Sequence, residues 1–464
     1  MRAPRLDGTR AVSIGLVLLF VTIVAVKLRV VTDFHAPAGD GIGYHQLAHE
    51  LRSAGRYAFG PGLPPTYARM PGWPVVVAAV DTGRGNDIET TLARGTYLNV
   101  LFDVLTALFA LLIAREAGLG RATQLLAFFL VLASPLLLLD SCYLLRETFS
   151  TTIATAVFWL IARGHFRREP RWLIAAAGLI GAGMLVRQDL LALGLACVPA
   201  WLAVEGWGRK IRVALLAGVA CAALFSPWPI RNLVRFGDPH LVENAWLDAR
   251  GEPLPKGERV WVSSWVDDLD QGWLNLRLVN HQPITERDIH ARAWDSLEEK
   301  AELLALFSRY NREGLSPAVD QAFRELGMRR FRERPLYRLA YLPLRRAALW
   351  WWSFPKPWDQ PLRSRIVGQP GGRWAFDLSS KVSVVLGLLG WLGLGASSRT
   401  RAFAIGVGAA LLVRTIFICV VAPDGGGQRY VAPTWPMLLI GAALLIGSAV
   451  QIPRLLRRGP ASVA

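Results

Sequence analysis

The sequence is poor in charged residues. Only 19% of its 464 residues are Asp, Glu, Lys or Arg, whereas 53% are hydrophobic, and the mean hydropathy is +0.32. Soluble globular proteins carry about 25% charged residues. The composition therefore argues against a soluble globular protein and predicts a polytopic membrane protein.

The sequence also has few residues suited to metal or redox chemistry. Its four cysteines, Cys142, Cys197, Cys221 and Cys419, show no metal or redox spacing, so we interpret them as small buried apolar residues. His45 and His49 are one helical turn apart but lack a placed third ligand. We therefore expect no metal site and no cofactor, with a divalent metal as the disfavoured alternative.

Apolar runs with few or no charges recur along the chain. Some are shorter than the roughly 20 residues that a perpendicular span needs, so their ends must include flanking residues. They predict an all-α protein with about ten transmembrane helices, near 11–26, 97–114, 122–139, 148–162, 172–186, 189–204, 213–227, 382–395, 402–421 and 431–449.

The net charge of +17 comes from Lys and Arg residues that lie between the apolar runs. They follow no nucleic-acid-binding motif, so we interpret them as topology signals and expect no nucleic-acid partner. Their distribution predicts a multi-pass protein of the inner (plasma) membrane with both termini in the cytoplasm. Lys27 and Arg29, near the outer end of the first run, are exceptions. That run also resembles a secretory signal, but we expect an uncleaved anchor.

This topology leaves two long segments on the outer face. The first is predicted to contain a surface helix at 42–54, and the second is predicted to contain helices starting near Thr285 and at Ser316-Pro317, followed by an interfacial segment at 334–355. The acidic cluster Asp267, Asp268 and Asp270 in WVDDLDQGW could suggest calcium binding, but it lacks EF-hand spacing, so we interpret it as a solvated loop. The predicted divisions are 1–31 (first transmembrane helix), 32–93 (first outer loop), 94–227 (helices two to seven), 228–377 (small extracytoplasmic domain), 378–450 (helices eight to ten) and 451–464 (cytoplasmic tail).

Polar residues at the predicted membrane edges concentrate on the outer side. An enzyme that uses a lipid-linked substrate needs acid, base and phosphate-binding groups at one interface, whereas a transporter must serve both faces. The asymmetry therefore favours an enzyme. Asp103 and Arg414 lie at similar depths inside predicted spans, and because an isolated charge there is costly, we expect them to pair.

The first outer loop, GDGIGYHQLAHELRSAGRYAFGPGLPPTYARMPGWP, resembles that of GT-C glycosyltransferases that use polyprenyl-phosphate sugars, the glycosyltransferase family 39 type that includes protein O-mannosyltransferases and aminoarabinose transferases. The matching positions are Asp40, Tyr44, Ala48, Leu51, Gly55, Arg69, Pro71 and Pro74. The resemblance continues through LLRETF, LVRQD, PWPIRN and QRYVAPTWP. Gly41 stands where many members carry a second acidic residue.

The resemblance implies a hexosyl- or pentosyltransferase that moves a sugar, with inversion, from a polyprenyl-phosphate carrier to a glycan, lipid or protein acceptor at the extracytoplasmic face. Asp40 would be the general base, and Arg69, Arg231 and Arg429 would bind the donor phosphate. Substrate contacts would come from Tyr44, His45, Glu147, Arg187 and Tyr430. Without the resemblance, the bare pattern favours helix capping by Asp40 over a catalytic role.

Two other functions fit a polytopic membrane protein. One is a lipid or polysaccharide transporter or flippase, and the other is a non-catalytic subunit of an envelope assembly complex. Membrane lipids are expected partners in every case.

Overall fold

The computed structural model describes residues 8–35, 39–81, 88–241, 256–267, 277, 282–352, 372–421 and 430–457. Among these residues the regular elements are helices and none is a strand, so the all-α prediction is confirmed. The N-terminal half contains α1 (Gly8–Phe34), α2 (Gly39–Ala54), α3 (Gly72–Val80), α4 (Ile88–Glu116), α5 (Arg121–Leu132), α6 (Pro135–Ser141), α7 (Glu147–Arg167), α8 (Arg171–Met184), a 3-10 helix (Gln188–Ala196), α9 (Cys197–Leu202), α10 (Trp207–Phe225) and α11 (Pro227–Phe236).

The C-terminal half begins with α12 (Gly257–Ser263), two 3-10 turns (Glu286–Asp288 and Ala291–Ala293), α13 (Leu297–Glu313) and α14 (Pro317–Glu333). A π-helical turn (Tyr337–Tyr341) leads into α15 (Leu342–Trp352). The chain ends with α16 (Gly372–Ala396), α17 (Arg401–Val421), a 3-10 turn (Ala432–Thr434) and α18 (Trp435–Arg457).

Each predicted apolar run is at least partly helical, but few of the helices are long enough to cross a bilayer unaided. Four of the described helices are, within Val12–Phe34, Ile88–Glu116, Trp374–Ala396 and Arg401–Val420. Two bent pairs raise the number to six, because α5 and α6 meet at 43° and α10 and α11 at 49°. Proline at the start of α6 and of α11 removes a backbone donor and favours these bends. The protein is a multi-pass membrane protein, but ten spans are not confirmed.

Helix α4 lies centrally, packing against α1, α5 and α7, while α7 packs against α8 and α8 against α10. A second tight pair is α16 and α18. A Cβ added to Gly390 would lie 1.8 Å from the carbonyl oxygen of Gly441. Small residues therefore let these two backbones approach, as is common between membrane helices.

The prediction that Asp103 pairs with Arg414 is wrong. Lys27 of α1 donates to Asp103 of α4 across 2.6 Å, and Ser141 donates to the same carboxylate oxygen. Arg414 of α17 instead pairs with Asp189 across 2.5 Å. A similar depth in the membrane did not determine the ion-pair partners. Each of the two residues instead pairs with an opposite charge on another neighbouring helix. The pairing explains why Lys27 departs from the charge rule, since it neutralises a buried acid.

The described residues between 257 and 333 form a separate small core. Trp261 of α12 contacts Phe307 of α13 and Phe323 of α14, with ring centroids 5.7 and 5.3 Å apart. Ser316 caps α14, as predicted, by accepting from the Val319 amide. Thr285 also starts a capping box, but the helix there is a single 3-10 turn. The longer helix, α13, begins after Ser296.

The interpretation of Asp267 as a solvated loop residue is wrong. Its side chain is buried and pairs with Arg292 and Arg345. Arg346 of α15 donates to the carbonyl oxygens of Val266 at 2.8 Å and Cys419 at 3.1 Å. The predicted interfacial segment therefore turns basic side chains toward this small core and connects it to α17.

Candidate active site

Asp40 and Arg69 are hydrogen-bonded to each other. Helix α2 begins at Gly39, three residues before the predicted start, so Asp40 lies in its first turn, where a carboxylate is stabilised by the helix dipole. The Arg69 guanidinium donates to Asp40 Oδ1 across 2.9 Å. Both side chains keep part of their surface exposed, 24% for Arg69 and 31% for Asp40. The structure therefore brings the predicted base and the predicted phosphate ligand together at an accessible position.

The loop that carries Arg69 is held by its backbone. Tyr57 donates its hydroxyl to the carbonyl oxygen of Arg69 at 3.0 Å and also to that of Met70. Arg231 of α11 donates to the carbonyl oxygen of Thr66 at 2.9 Å, three residues before Arg69. Its guanidinium also lies over the ring of Tyr57. In this structure, Arg231 thus stabilises the Arg69 loop through contacts with Thr66 and Tyr57.

Close backbone contacts connect this loop to the helical bundle. The Gly72 amide donates to the carbonyl oxygen of Leu185 at 2.7 Å, and the Trp73 indole donates to that of Leu144 at 3.3 Å. A Cβ at Gly41 would lie 3.3 Å from the carbonyl oxygen of Leu144. The segment after Asp40 thus packs directly against the segment that leads into α7. The tight fit gives a physical reason for glycine rather than a second acid at position 41.

Beside this contact lies a buried ionic network, which we call the Arg187 network: Glu147, Arg187, Asp189, Arg414 and Tyr430. Arg187 pairs with Glu147 at 3.2 Å and with Asp189 at 3.0 Å, and its guanidinium lies 4.9 Å from the ring centroid of Tyr430. Arg414 also donates to the carbonyl oxygen of Tyr430 at 2.6 Å. Three predicted substrate contacts, Glu147, Arg187 and Tyr430, are therefore neighbours.

The other predicted site residues have different surroundings. Tyr44 is 3% exposed and packs into the main core, and His45 is 1% exposed. The neighbouring His49 is 3.1 Å from Asp81. Arg429 lies outside the described residues. Within the part of the chain that the structure describes, no group of three or more His, Cys, Asp or Glu side chains is placed to hold a metal ion.

Sequence reasoning did not assign Asp189 and Arg414 to the site. The motif LVRQD contains both Arg187 and Asp189. The opposite charges of these two residues, next to an apolar run, were the signal that could have indicated a buried ion pair. Arg414 was recognised as a costly buried charge, but its contact with Tyr430 depends on how α17 packs against the Gln188–Ala196 helix. That packing cannot be read from one sequence.

The site combines a half-exposed carboxylate, a cation bonded to it and an adjacent buried network of alternating charge. A carboxylate at such a position can accept a proton, and a guanidinium can bind phosphate oxygens. Residues 91–230 match the family model described as dolichyl-phosphate-mannose-protein mannosyltransferase. Over these residues, the chain is similar to that glycosyltransferase family.

The matched segment, residues 91–230, includes Glu147, Arg187, Asp189 and Arg231 but begins after Asp40 and Arg69. The family model therefore does not cover the segment with Asp40 and Arg69, whose similarity rests on the sequence motif alone. No curated protein sequence matches the chain.

The structure is similar to two solved structures over nearly its whole length. One is ArnT from Cupriavidus metallidurans bound to undecaprenyl phosphate, with a TM-score of 0.42, 16% identity and coverage of 96% of this chain and 81% of that chain. The other is the archaeal oligosaccharyltransferase AglB from Archaeoglobus fulgidus in complex with an inhibitory peptide and a dolichol-phosphate, with a TM-score of 0.47, 12% identity and coverage of 96% and 52%.

Proposed function

We propose that this protein is a membrane glycosyltransferase that transfers one sugar from a polyprenyl-phosphate carrier to an acceptor at the extracytoplasmic face. The observation that carries the proposal is the pair formed by Asp40 and Arg69, in a loop that packs against the segment matching the mannosyltransferase family model. One group can take a proton and the other can bind a phosphate. A direct displacement requires both functions at the same reacting carbon.

In the proposed reaction, Asp40 accepts the proton of the acceptor hydroxyl. The acceptor oxygen forms a bond to the anomeric carbon as the bond from that carbon to the phosphate oxygen breaks, which inverts the configuration. The electron pair of the broken bond stays on polyprenyl phosphate, so its negative charge increases. Arg69 would stabilise that charge more strongly in the transition state than in the bound donor.

The donor phosphate must compete with Asp40 for Arg69. In the structure, Arg69 already forms an ion pair with the carboxylate, and an ion-paired carboxylate is a weaker base than a free one. A phosphate that draws Arg69 away would leave Asp40 better able to accept a proton. Donor binding would thus prepare the base.

The proposal gives the surrounding residues supporting roles. Arg231 would keep the Arg69 loop in place through its bond to Thr66 rather than contact the phosphate itself. Glu147, Arg187 and Tyr430 would form the adjacent wall that contacts the sugar or the acceptor. The proposal also includes a phosphate contact by Arg429. The transfer assay below identifies the sugar and the acceptor.

The test is transfer by the purified full chain from synthetic polyprenyl-phosphate sugars to a panel of glycan, lipid and peptide acceptors. The anomeric configuration of the product is then compared with that of the donor by NMR. An inverted product supports direct displacement. A retained configuration would contradict it, and transport of the lipid without transfer would favour the flippase alternative.

A further inference from the structure

A cavity of about 230 Å³ lies at the C-terminal end of α7, far from the candidate active site. Its lining includes His165, Arg168, Glu205 and Arg209. Glu147 begins the same helix, and at about 1.5 Å per residue, His165 lies roughly 27 Å from it along the axis. The hydrocarbon core of a bilayer is about 30 Å thick. The cavity is therefore at the opposite membrane surface from the Arg187 network.

Two arginines of the cavity have no acidic partner within the described residues. The adjacent Arg167 pairs with Glu116 across 2.7 Å, which shows that arginines in this region can be neutralised where an acid is placed. No ion pair among the described residues involves Arg168 or Arg209. The cavity therefore carries positive charge available to an anion.

Arg168 also has an unusual backbone conformation. It ends α7 in the left-handed region, with φ of 56°, a position usually occupied by glycine. A side chain there costs free energy relative to glycine. An observed outlier of this kind is a reason to look for a function of the side chain. Here that side chain lines a cavity.

The opposite wall of the cavity leads into α10, which starts at Trp207 and has no acid in its first turn. Helix N-termini favour anions. Trp207 is 72% exposed, and the Lys210 amine lies 5.1 Å from its ring centroid. Further along α10, Leu215 is 65% exposed. An exposed tryptophan beside exposed aliphatic residues is typical of a membrane interface.

We propose that this cavity binds the phosphate headgroup of an anionic bilayer phospholipid. Arg168 and Arg209 bind the phosphate, and the Glu205 carboxylate is available to accept from headgroup hydroxyls. Basic pockets between membrane helices are known to suit such headgroups. A volume of 230 Å³ is below the roughly 300–1,000 Å³ of drug-sized sites, which fits a headgroup whose acyl chains stay in the bilayer.

The experiment measures phosphatidylglycerol binding to the delipidated full chain in neutral detergent by native mass spectrometry. The variants are Arg168→Gly and Arg209→Gln. The matched control is Arg171→Gln, because Arg171 is a nearby exposed arginine that pairs with Glu169 outside the cavity. Phosphatidylcholine and soluble glycerol phosphate are tested as competitors.

We expect each cavity variant to lose affinity for phosphatidylglycerol by about fivefold or more, the effect of one basic residue near an anionic lipid. The control should bind like the wild type. Arg168→Gly should melt no lower than the wild type, because glycine relieves the left-handed conformation. Wild-type binding by both cavity variants would overturn the proposal, as would equal competition by soluble glycerol phosphate or phosphatidylcholine. None of these results depends on glycosyltransferase activity.

Discussion

Arg69 donates a hydrogen bond to Asp40 across 2.9 Å, although the two residues are 29 positions apart, one in the first turn of α2 and the other in the loop that follows this helix. The pair holds the first turn of α2 against the loop that follows it. Because both side chains are partly exposed, a phosphate can reach the guanidinium. The pair therefore sets up a competition that binding measurements can detect.

Replacing either member of the pair should change phosphate affinity in opposite directions. Asp40→Asn removes the competitor for Arg69, so polyprenyl phosphate should bind at least as tightly as to the wild type. Arg69→Gln removes charge-assisted hydrogen bonds and should weaken binding by about tenfold or more. Calorimetry in detergent measures both affinities, and Arg52→Gln, an exposed arginine on the same helix, is the control. Equal affinities for all four proteins would contradict the assignment of Arg69.

The Arg414–Asp189 pair should be important for stability. Both side chains are buried, 2% and 10% exposed, so Arg414→Met removes one of the two ion-pair partners of a buried acid. Removing one member of a buried pair costs about 3–5 kcal/mol. Thermal unfolding should show a large loss for Arg414→Met and partial recovery when Asp189→Asn is added. Additive losses in the double variant would argue against a direct interaction.

Lys27 and Asp103 allow a similar test within the membrane-spanning region. Lys27→Met should destabilise the protein by about 3–5 kcal/mol, because it leaves Asp103 buried without its cation. Arg29→Met is the matched control, since Arg29 is 77% exposed and pairs only with Asp33 within the described residues. Its effect should be near zero. Similar melting temperatures for the two variants would contradict the structure of this pair.

Much of the fold could be predicted from the sequence. Apolar runs identify the helices because a backbone in lipid must satisfy its own hydrogen bonds, and Ser316-Pro317 marked a helix start correctly. The predicted pairing of Asp103 with Arg414 was wrong, because the rotation and packing of the helices determine which charged side chains meet. Rotation and packing depend on the whole bundle. The sequence also did not determine the number of spans. The apolar run that reaches Pro227 does not end there, because a second helix, α11, continues from it at an angle of 49° to α10.

The candidate site was recognised in part for a similar reason. Asp40, in the first turn of α2, and Arg69, in the glycine- and proline-rich loop that follows, belong to a motif with recognisable spacing, so a sequence can reveal them. Asp189 lies between apolar residues, and its role depends on Arg187 and Arg414, which reach it from different directions. Tyr44 is buried because α2 packs its face on the core, and the helical pattern alone did not indicate which face that would be.

Gly72 should be needed to keep the Arg69 loop in position. An alanine Cβ there would lie 2.7 Å from a Val186 methyl group and 2.8 Å from the carbonyl oxygen of Leu185. The loop would have to move away from the segment before Arg187, at a cost of about 1–3 kcal/mol. Melting temperature and sugar transfer should both fall in Gly72→Ala. Gly60→Ala is the control, because its Cβ would meet only Leu63 at an ordinary 3.6 Å. Equal behaviour of the two variants would show that the close approach is unimportant.

The most direct test of the account is the single-turnover rate of sugar transfer by Asp40→Asn at saturating donor. A positioned base contributes typically 10²–10⁴-fold, so the rate should fall by about that factor while donor affinity and melting temperature are maintained. Asp33→Asn, a nearby aspartate paired with Arg29, should transfer at the wild-type rate. A wild-type rate in Asp40→Asn would contradict the assignment of this carboxylate as the base.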